Sequence, residues 1–326
     1  MANPSHTYSP CCRLRETLPQ TRDEILALGD LVELGHDFEA LALAGTQFED
    51  ALITTQNAGA LIAGRGGYGA LQTTGTSLRL SQAERRMDVR FLPTSAINLA
   101  RATTPASAAP TSVMAMDDAG RVRHRIQVTS TMDLLVALSL PRRANCTAAP
   151  PLREGVDHNV VPLTAIRNAR ESWDQVDVAH HLNDFLFDGG VSRSRCLAHI
   201  GPNRAWRILP EIVPSFLDFL GRRRIGIARF VLGHGLMQSD VGILSDVRES
   251  DRVVVAREKQ KSFALDLKEV ASVWVTVCRQ QWHLEFYDPQ RAGVAVICAD
   301  PSGNLATWRD LLCSLPRQTP SPAQHP

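Results

Sequence analysis

The sequence predicts an α+β fold of two structural repeats, each a large, mainly antiparallel sheet flanked by helices. Three observations lead there. Short strand-like runs come in series, and helices do not alternate with single strands as a doubly wound fold requires. A Pro/Ala/Thr-rich stretch, Pro141 to Pro151, separates two such series and reads as a linker. The two series also echo each other in detail.

Residues 11–45 carry apolar residues at helical spacing, among them Ile25, Leu26, Leu28, Leu31, Val32 and Leu34, which predicts one or two short helices. Strand-like runs follow at Leu52–Thr55, Val89–Leu92, Ser112–Met116 and His124–Val128, separated by Gly, Asp and Asn turns. Met132 to Leu140 returns to a helical pattern. Beyond the linker, Val178 to Phe187 and Ile212 to Leu220 read as helices. Strands are expected at Ile227–Leu232, Val253–Ala256, Val273–Val277, Leu284–Tyr287 and Val294–Ala299, with a closing helix at Thr307 to Leu315. The echo pairs Ser112–Asp118, Gly120-Arg121-Val122 and the helix ending Leu140-Pro141 with Trp282–Asp288, Gly293-Val294 and the helix ending Leu315-Pro316. The expected division is an N-terminal repeat over 1–140, a linker over 141–160, a C-terminal repeat over 161–316 and a disordered tail over 317–326.

Composition narrows the function. Lys and Arg number 35 against 34 Asp and Glu, so no global field attracts nucleic acid or an anionic membrane. No basic segment followed by an apolar run opens the chain, and no apolar stretch is long enough for membrane insertion. The seven cysteines are scattered without a Cys-x-x-Cys pair, which argues against a disulfide framework or a structural zinc site. Together these predict a cytoplasmic protein. Gly64 to Gly69 fits G-x-G-x-x-G, but residues 70–79 are poor helix formers, so no helix N-terminus is offered to a pyrophosphate. A flexible hairpin is the better reading. His124, His234 and His283 fall on or near predicted strands at no metal-ligand spacing and read as structural.

Several ordered segments resemble the haemin-degrading and haemin-transport proteins of Gram-negative bacteria. They are Ile53-Thr54-Thr55-Gln56-Asn57 running on to Gly66-Gly67-Tyr68, Met87-Asp88-Val89-Arg90-Phe91-Leu92, and Trp173, Asp177-Val178 and His180 followed by Gly190-Val191-Ser192-Arg193. Further on come Phe230-Val231 with Gly235, Met237 and Gln238, then Val273-Trp274-Val275, Leu284-Glu285-Phe286-Tyr287-Asp288 and Trp308-Arg309. The similarity runs over residues 15–316. Ala58 stands where the family usually has Glu, Asp240 where it often has His, and Pro93–Ala100 lacks the usual Trp.

The resemblance implies a haem cleft between the halves and His180 as the iron ligand. Asp177 would cap the helix, and its positive end keeps the His180 imidazole neutral and able to donate to iron. From the helix alone His180 also reads as a surface histidine; counting back from Gly190 selects it over His181. Arg90 would approach the far face of the haem or pair with a propionate, against the alternative of a strand Arg facing water. Arg193 is a propionate partner or a surface charge, and Tyr287 a pocket hydroxyl or a sheet-packing aromatic. Arg90 closing the pocket from the first half would let the linker act as a hinge. The resemblance implies a haem carrier in haem uptake and iron acquisition, with a haem importer and a haem acceptor or reductase as partners. A ring-opening, oxygenase-like enzyme and a relative without haem binding are the alternatives.

Overall fold

The computed structural model describes residues 18–35, 38–74, 77–81, 86–91, 98–103, 111–140, 163–175, 186–187, 191–233 and 235–318. The first half runs α1 (Arg22–Leu28), β1 (Asp30–Gly35), α2 (Phe38–Gln47), β2 (Ala51–Gln56), β3 (Ala60–Tyr68), β4 (Ala70–Thr74), β5 (Ser77–Ser81), β6 (Arg86–Phe91), β7 (Asn98–Thr103), β8 (Ser112–Met116), β9 (Val122–Gln127) and α3 (Thr131–Ser139). The second runs α4 (Leu163–Ser172), a 3₁₀ turn at Trp173–Gln175, β10 (Leu186–Phe187), β11 (Val191–Ser192), α5 (Arg193–Cys196), β12 (Ala205–Ile208) and α6 (Val213–Arg222). It continues with β13 (Gly226–Leu232), β14 (Leu236–Ile243), β15 (Asp246–Ser250), β16 (Val253–Glu258), β17 (Lys261–Asp266), β18 (Ser272–Cys278), β19 (Gln281–Tyr287), β20 (Gly293–Ala299) and α7 (Leu305–Ser314).

Apart from the small β10–β11 pair, the strands form two antiparallel ladders. One has the order β1-β7-β8-β9-β2-β3-β17-β16-β15. The other has the order β12-β18-β19-β20-β13-β14-β6-β5-β4. A short parallel pairing of Gly67 and Tyr68 with Arg86 and Met87 joins them. The two orders are the same order: each half contributes six strands to its own sheet and lends three to the other. Even the irregularities repeat, with register shifts between Ala115 and Met116 and between Phe286 and Tyr287. The echo read in the sequence is therefore a true repeat, with α3 and α7 closing equivalent positions.

The expected hinge between halves is corrected by this exchange. Opening it would break the β6–β14 and β3–β17 ladders, which carry hydrogen bonds from one half to the other. Two short helices, α1 and α2, lie within 11–45 as expected, but the helical spacing through Leu31, Val32 and Leu34 misleads: α1 ends at Leu28, and the strand Asp30–Gly35 pairs with β7. Gly64 to Tyr68 belong to β3 rather than a hairpin. Gly45 is required opposite that strand, because a Cβ there would sit 1.9 Å from the Tyr68 ring. The linker at 141–160 lies outside the described residues.

Alternation along the second sheet gives it two apolar faces. Ile227, Val231, Leu284, Phe286 and Ile297 pack with Leu217 and Leu220 of α6 and Leu312 of α7. Asn304 caps α7, its side chain accepting from the Thr307 amide at 3.1 Å. The other face carries Ala228, Phe230, Met237 and Val296, covered by Ala165, Ala169, Trp173, Cys196 and Leu197.

Asn57 locks the halves together. Its amide donates to the carbonyls of Leu232 and Val294, each at 2.6 Å, and its oxygen accepts from the amides of Gly59 and Ala60. Asn57→Ala strands two carbonyls of the second half and two amides of its own turn. The expected loss is about 2–4 kcal/mol in a urea unfolding titration; a loss under about 0.5 kcal/mol would show that water replaces these bonds.

Candidate functional site

A cavity of about 350 Å³ opens on the second of these faces. Its floor is Ala228 and Phe230 of β13, Met237, Ser239 and Val241 of β14, Cys298 of β20 and His283 of β19, and Asp88 and Arg90 of β6 close one side. Trp282, Leu305 and Trp308 line the other end. The floor crosses four interstrand gaps, about 19 Å at roughly 4.8 Å each. Its middle is apolar, Asp88 and Arg90 make one end polar, and the other end mixes His283, Gln280 and Gln281 with the indole rings of Trp282 and Trp308. Among the described residues β6 is the one first-half element lining the cavity, and it is there because it was lent to the second half's sheet.

Arg90 lies at the cavity edge, 7% exposed and opposite Met237 in the ladder. Its neighbour Asp88 accepts a hydrogen bond from the Ser239 hydroxyl at 3.1 Å, which ties β6 to β14 at the cavity edge. His180 and His181 lie outside the described residues, as does most of the helix expected at Val178 to Phe187. Leu186 and Phe187, at its expected end, form a strand pairing with Val191 and Ser192 instead.

Tyr287 lies on the same sheet face as the cavity, with Arg193 packed over it, but neither is among the lining residues. The Arg193 guanidinium is 1% exposed and grips Glu285 with two nitrogens, at 3.0 and 2.6 Å. It also stacks over the Trp173 ring, 3.8 Å from the centroid. Tyr287 donates its hydroxyl to Glu285 at 2.6 Å, and the Thr276 hydroxyl donates to the same carboxylate. Burial pushes the Glu285 carboxyl up, but the charge and hydrogen bonds of Arg193, aided by His283 and Thr276, outweigh it and hold it at about 2. The propionate role expected for Arg193 is corrected accordingly: its charge is matched by Glu285 and covered by protein. Tyr287 likewise serves Glu285. Trp173, from the segment that precedes His180, donates its indole N–H to Val277 at 2.6 Å. Trp173 and Arg193 thus touch each other on the sheet from either side of the chain segment that contains His180.

The repeat gives this face a counterpart in the first half. Leu61 and Met237 hold the same place, each pairing with the last residue of the preceding strand. Counting along the ladders puts Ala264 at the place of Arg90, Ser112 at His283, Met114 at Glu285, Ala102 at Thr276 and Met116 at Tyr287. The same counting puts Thr54, Gln56, Arg125 and Gln127 at the places of Phe230, Leu232, Val296 and Cys298, so the two equivalent faces carry their polar groups at different places: the first half over β2 and β9, the second over β6 and β19.

Two polar clusters lie elsewhere. Arg229 and Asp240 form a buried pair at 2.5 Å, extended to Glu258. Asp240, which stands where the resembled family often has His, is thus paired with Arg229. In the first half, the Thr55 hydroxyl donates to Gln238 at 2.7 Å and sits 2.7 Å from His124 Nδ1, while Tyr68 sits 2.5 Å from His124 Nε2. Since the Thr55 proton is given to Gln238, Nδ1–H donates to Thr55 and Nε2 accepts from Tyr68. Burial lowers the His124 pKa to about 3, which keeps this neutral arrangement across physiological pH. His124 is structural, as expected. Among the described residues no group of three His, Cys, Asp or Glu side chains could hold a metal ion, and no helix is long and apolar enough to cross a membrane.

Protein-family models and curated protein sequences give no match to the chain. Solved structures do. The haem-bound form of PhuS, a haem-binding protein from Pseudomonas aeruginosa, matches with a TM-score of 0.75 at 18% identity, over 97% of this chain and 100% of that one. ChuS, a haem oxygenase from Escherichia coli, matches with a TM-score of 0.73 at 15% identity, over 96% of this chain and 97% of that one. The repeat, the strand exchange and these whole-length matches establish that the chain has the fold of PhuS and ChuS.

Proposed function

We propose that the protein binds haem against the second half's sheet and carries it within a haem-uptake route. The observation that carries this reading is the cavity itself: an apolar floor with a guanidinium from β6 at its edge. A flat macrocycle with two carboxylates needs apolar contact for its faces and cations for its edge, and Phe230, Met237, Val241 and Arg90 supply both. The likeness to a haem-binding protein and a haem oxygenase supports the ligand. His180 is the proposed iron ligand and Arg90 the group facing the haem from the first half. Trp173 and Arg193, clamped to each other and to the sheet, brace the chain on both sides of His180.

Haemin titration followed by absorbance tests the reading. A saturable, shifted Soret band at about one haem per chain is expected; a titration matching that of buffer alone would overturn it. Arg90→Ala is expected to speed haem loss about tenfold, equivalent to about 1.4 kcal/mol, with the unfolding midpoint of the haem-free form unchanged. An equal loss of stability without haem would make Arg90 structural.

Carriage rather than ring opening is the proposed role, because carriage requires only reversible ligation. Supplying haem-loaded protein with a reductase and catalase separates the two. An intact Soret band with transfer to an acceptor supports carriage, and stoichiometric linear tetrapyrrole with released iron shows an enzyme. The haem importer, acceptor or reductase, and the cytoplasmic setting, belong to the same proposal.

A further inference from the structure

The two ladders end in equivalent edge strands of opposite charge. β1 is outermost in the first ladder and β12 in the second. Leu31 pairs with Ala102 and Ala205 with Thr276, which hold the same place, so Leu31 corresponds to Ala205 and Glu33 to Arg207. One residue before, Asp30 corresponds to Arg204, whose carbonyl accepts from the Val277 amide.

The charge extends around each edge. Asp23 and Asp118 line one cleft with Glu33 beside β1, where Arg22 pairs with Glu33 at 2.8 Å. Asp23, Asp30, Glu33 and Asp118 are all exposed. Beside β12, Arg204 pairs with Asp174 at 2.6 Å and donates to the Arg170 carbonyl at 3.0 Å, while Arg279 donates to the Asp174 carbonyl at 2.7 Å. Arg317 stacks over Trp206, 4.3 Å from the ring centroid. Arg170, Arg207, Arg279 and Arg317 are exposed. The net charge of +1 therefore conceals two surfaces of opposite sign.

Charge on an edge strand ordinarily keeps copies of a protein apart. That device needs the same sign on both edges. Opposite signs draw the edge of one copy toward the other edge of the next. Strand addition is not the mode at β12, because the Gln318 amide donates to the Arg207 carbonyl at 2.8 Å and Arg317 bridges to Ile208. The docking groups there are the arginine side chains.

We propose that the chain docks on a second copy of itself head to tail, with the acidic β1 edge of one copy against the basic β12 edge of the next. The contact is heterologous, so each added copy presents a fresh edge, and association continues past a dimer unless the rotation closes a ring. Exposed ion pairs contribute little singly, which makes the contact reversible and sensitive to salt. Nothing in it depends on the ligand of the cavity.

Sedimentation velocity of the full chain without haemin tests the proposal. In about 10 mM salt, with a Debye length of about 30 Å, the average mass is expected to rise with protein concentration to at least that of two chains. In about 1 M salt, with a Debye length of about 3 Å, it should fall to that of one chain. Asp30→Arg with Glu33→Arg reverses the acidic edge, and Arg207→Glu with Arg317→Glu reverses the basic one. Each variant should stay monomeric in low salt, and an equal mixture of the two should associate again, which also shows that both fold. Glu249→Arg with Glu269→Arg makes the same change in net charge at exposed positions away from β1 and should associate like the unaltered chain. A monomeric unaltered chain in low salt would overturn the proposal. So would association that survives either edge reversal, a mixture that stays monomeric, or loss of association in the Glu249 and Glu269 variant.

Discussion

Replacing Glu285 with alanine is expected to cost about 3–5 kcal/mol of folding stability, because it leaves the Arg193 guanidinium buried without its counter-charge. Arg193 and Glu285 are each 1% exposed, so water cannot take over the lost bonds. The same pair sets an acid limit. The Glu285 carboxyl is held at about 2 against an ordinary 4.5. Its folded value is depressed, so the stabilisation is fully present above about pH 4.5 and is lost as pH falls toward 2. The full contribution is about 3 kcal/mol. Urea midpoints measured between pH 6 and pH 2.5 should fall more steeply for the unaltered chain than for Arg193→Met combined with Glu285→Leu. Packing an apolar pair in their place is expected to return most of the stability lost by Glu285→Ala. Equal pH slopes in the two proteins would show that the pair does not govern acid unfolding.

The largest effect on ligand binding is expected from His180→Ala: a changed Soret position and haem loss faster by on the order of 100-fold, about 3 kcal/mol. The neighbouring His181→Ala is expected to leave both unchanged, since the spacing from Gly190 selects His180. Reversed behaviour of the two variants would shift the ligand by one residue.

Much of the fold is legible in the sequence because its signals are local. The runs at Leu52–Thr55, Ser112–Met116 and Val273–Val277 are short apolar or β-branched stretches bounded by turn residues, and the helices at Met132 and Thr307 carry their own caps, Ser130 and Asn304. What the sequence hides is long-range. Leu31, Val32 and Leu34 continue a helical spacing from Ile25. The strand there exists because Leu99 to Thr103 pair with it some seventy residues later. The lending of β6 to β14 and of β17 to β3 joins residues about 150–200 positions apart, and no local periodicity reports it.

The site divides in the same way. Arg90 is found from its motif because its strand is itself recognisable. Arg193 is found too, but its role is misread, because Glu285 stands 92 residues away. His283 carries no spacing signal at all. Its place in the cavity wall shows only when β19 and β20 are laid side by side.

The most direct test of the account is the position of iron in crystals of the haemin-loaded protein, read from its anomalous diffraction. The account predicts one iron per chain above the second half's sheet, over the floor that runs from Met237 and Arg90 to His283. An iron peak over the first half's equivalent face, near Leu61 and Ala264, or on the outer surface would contradict it.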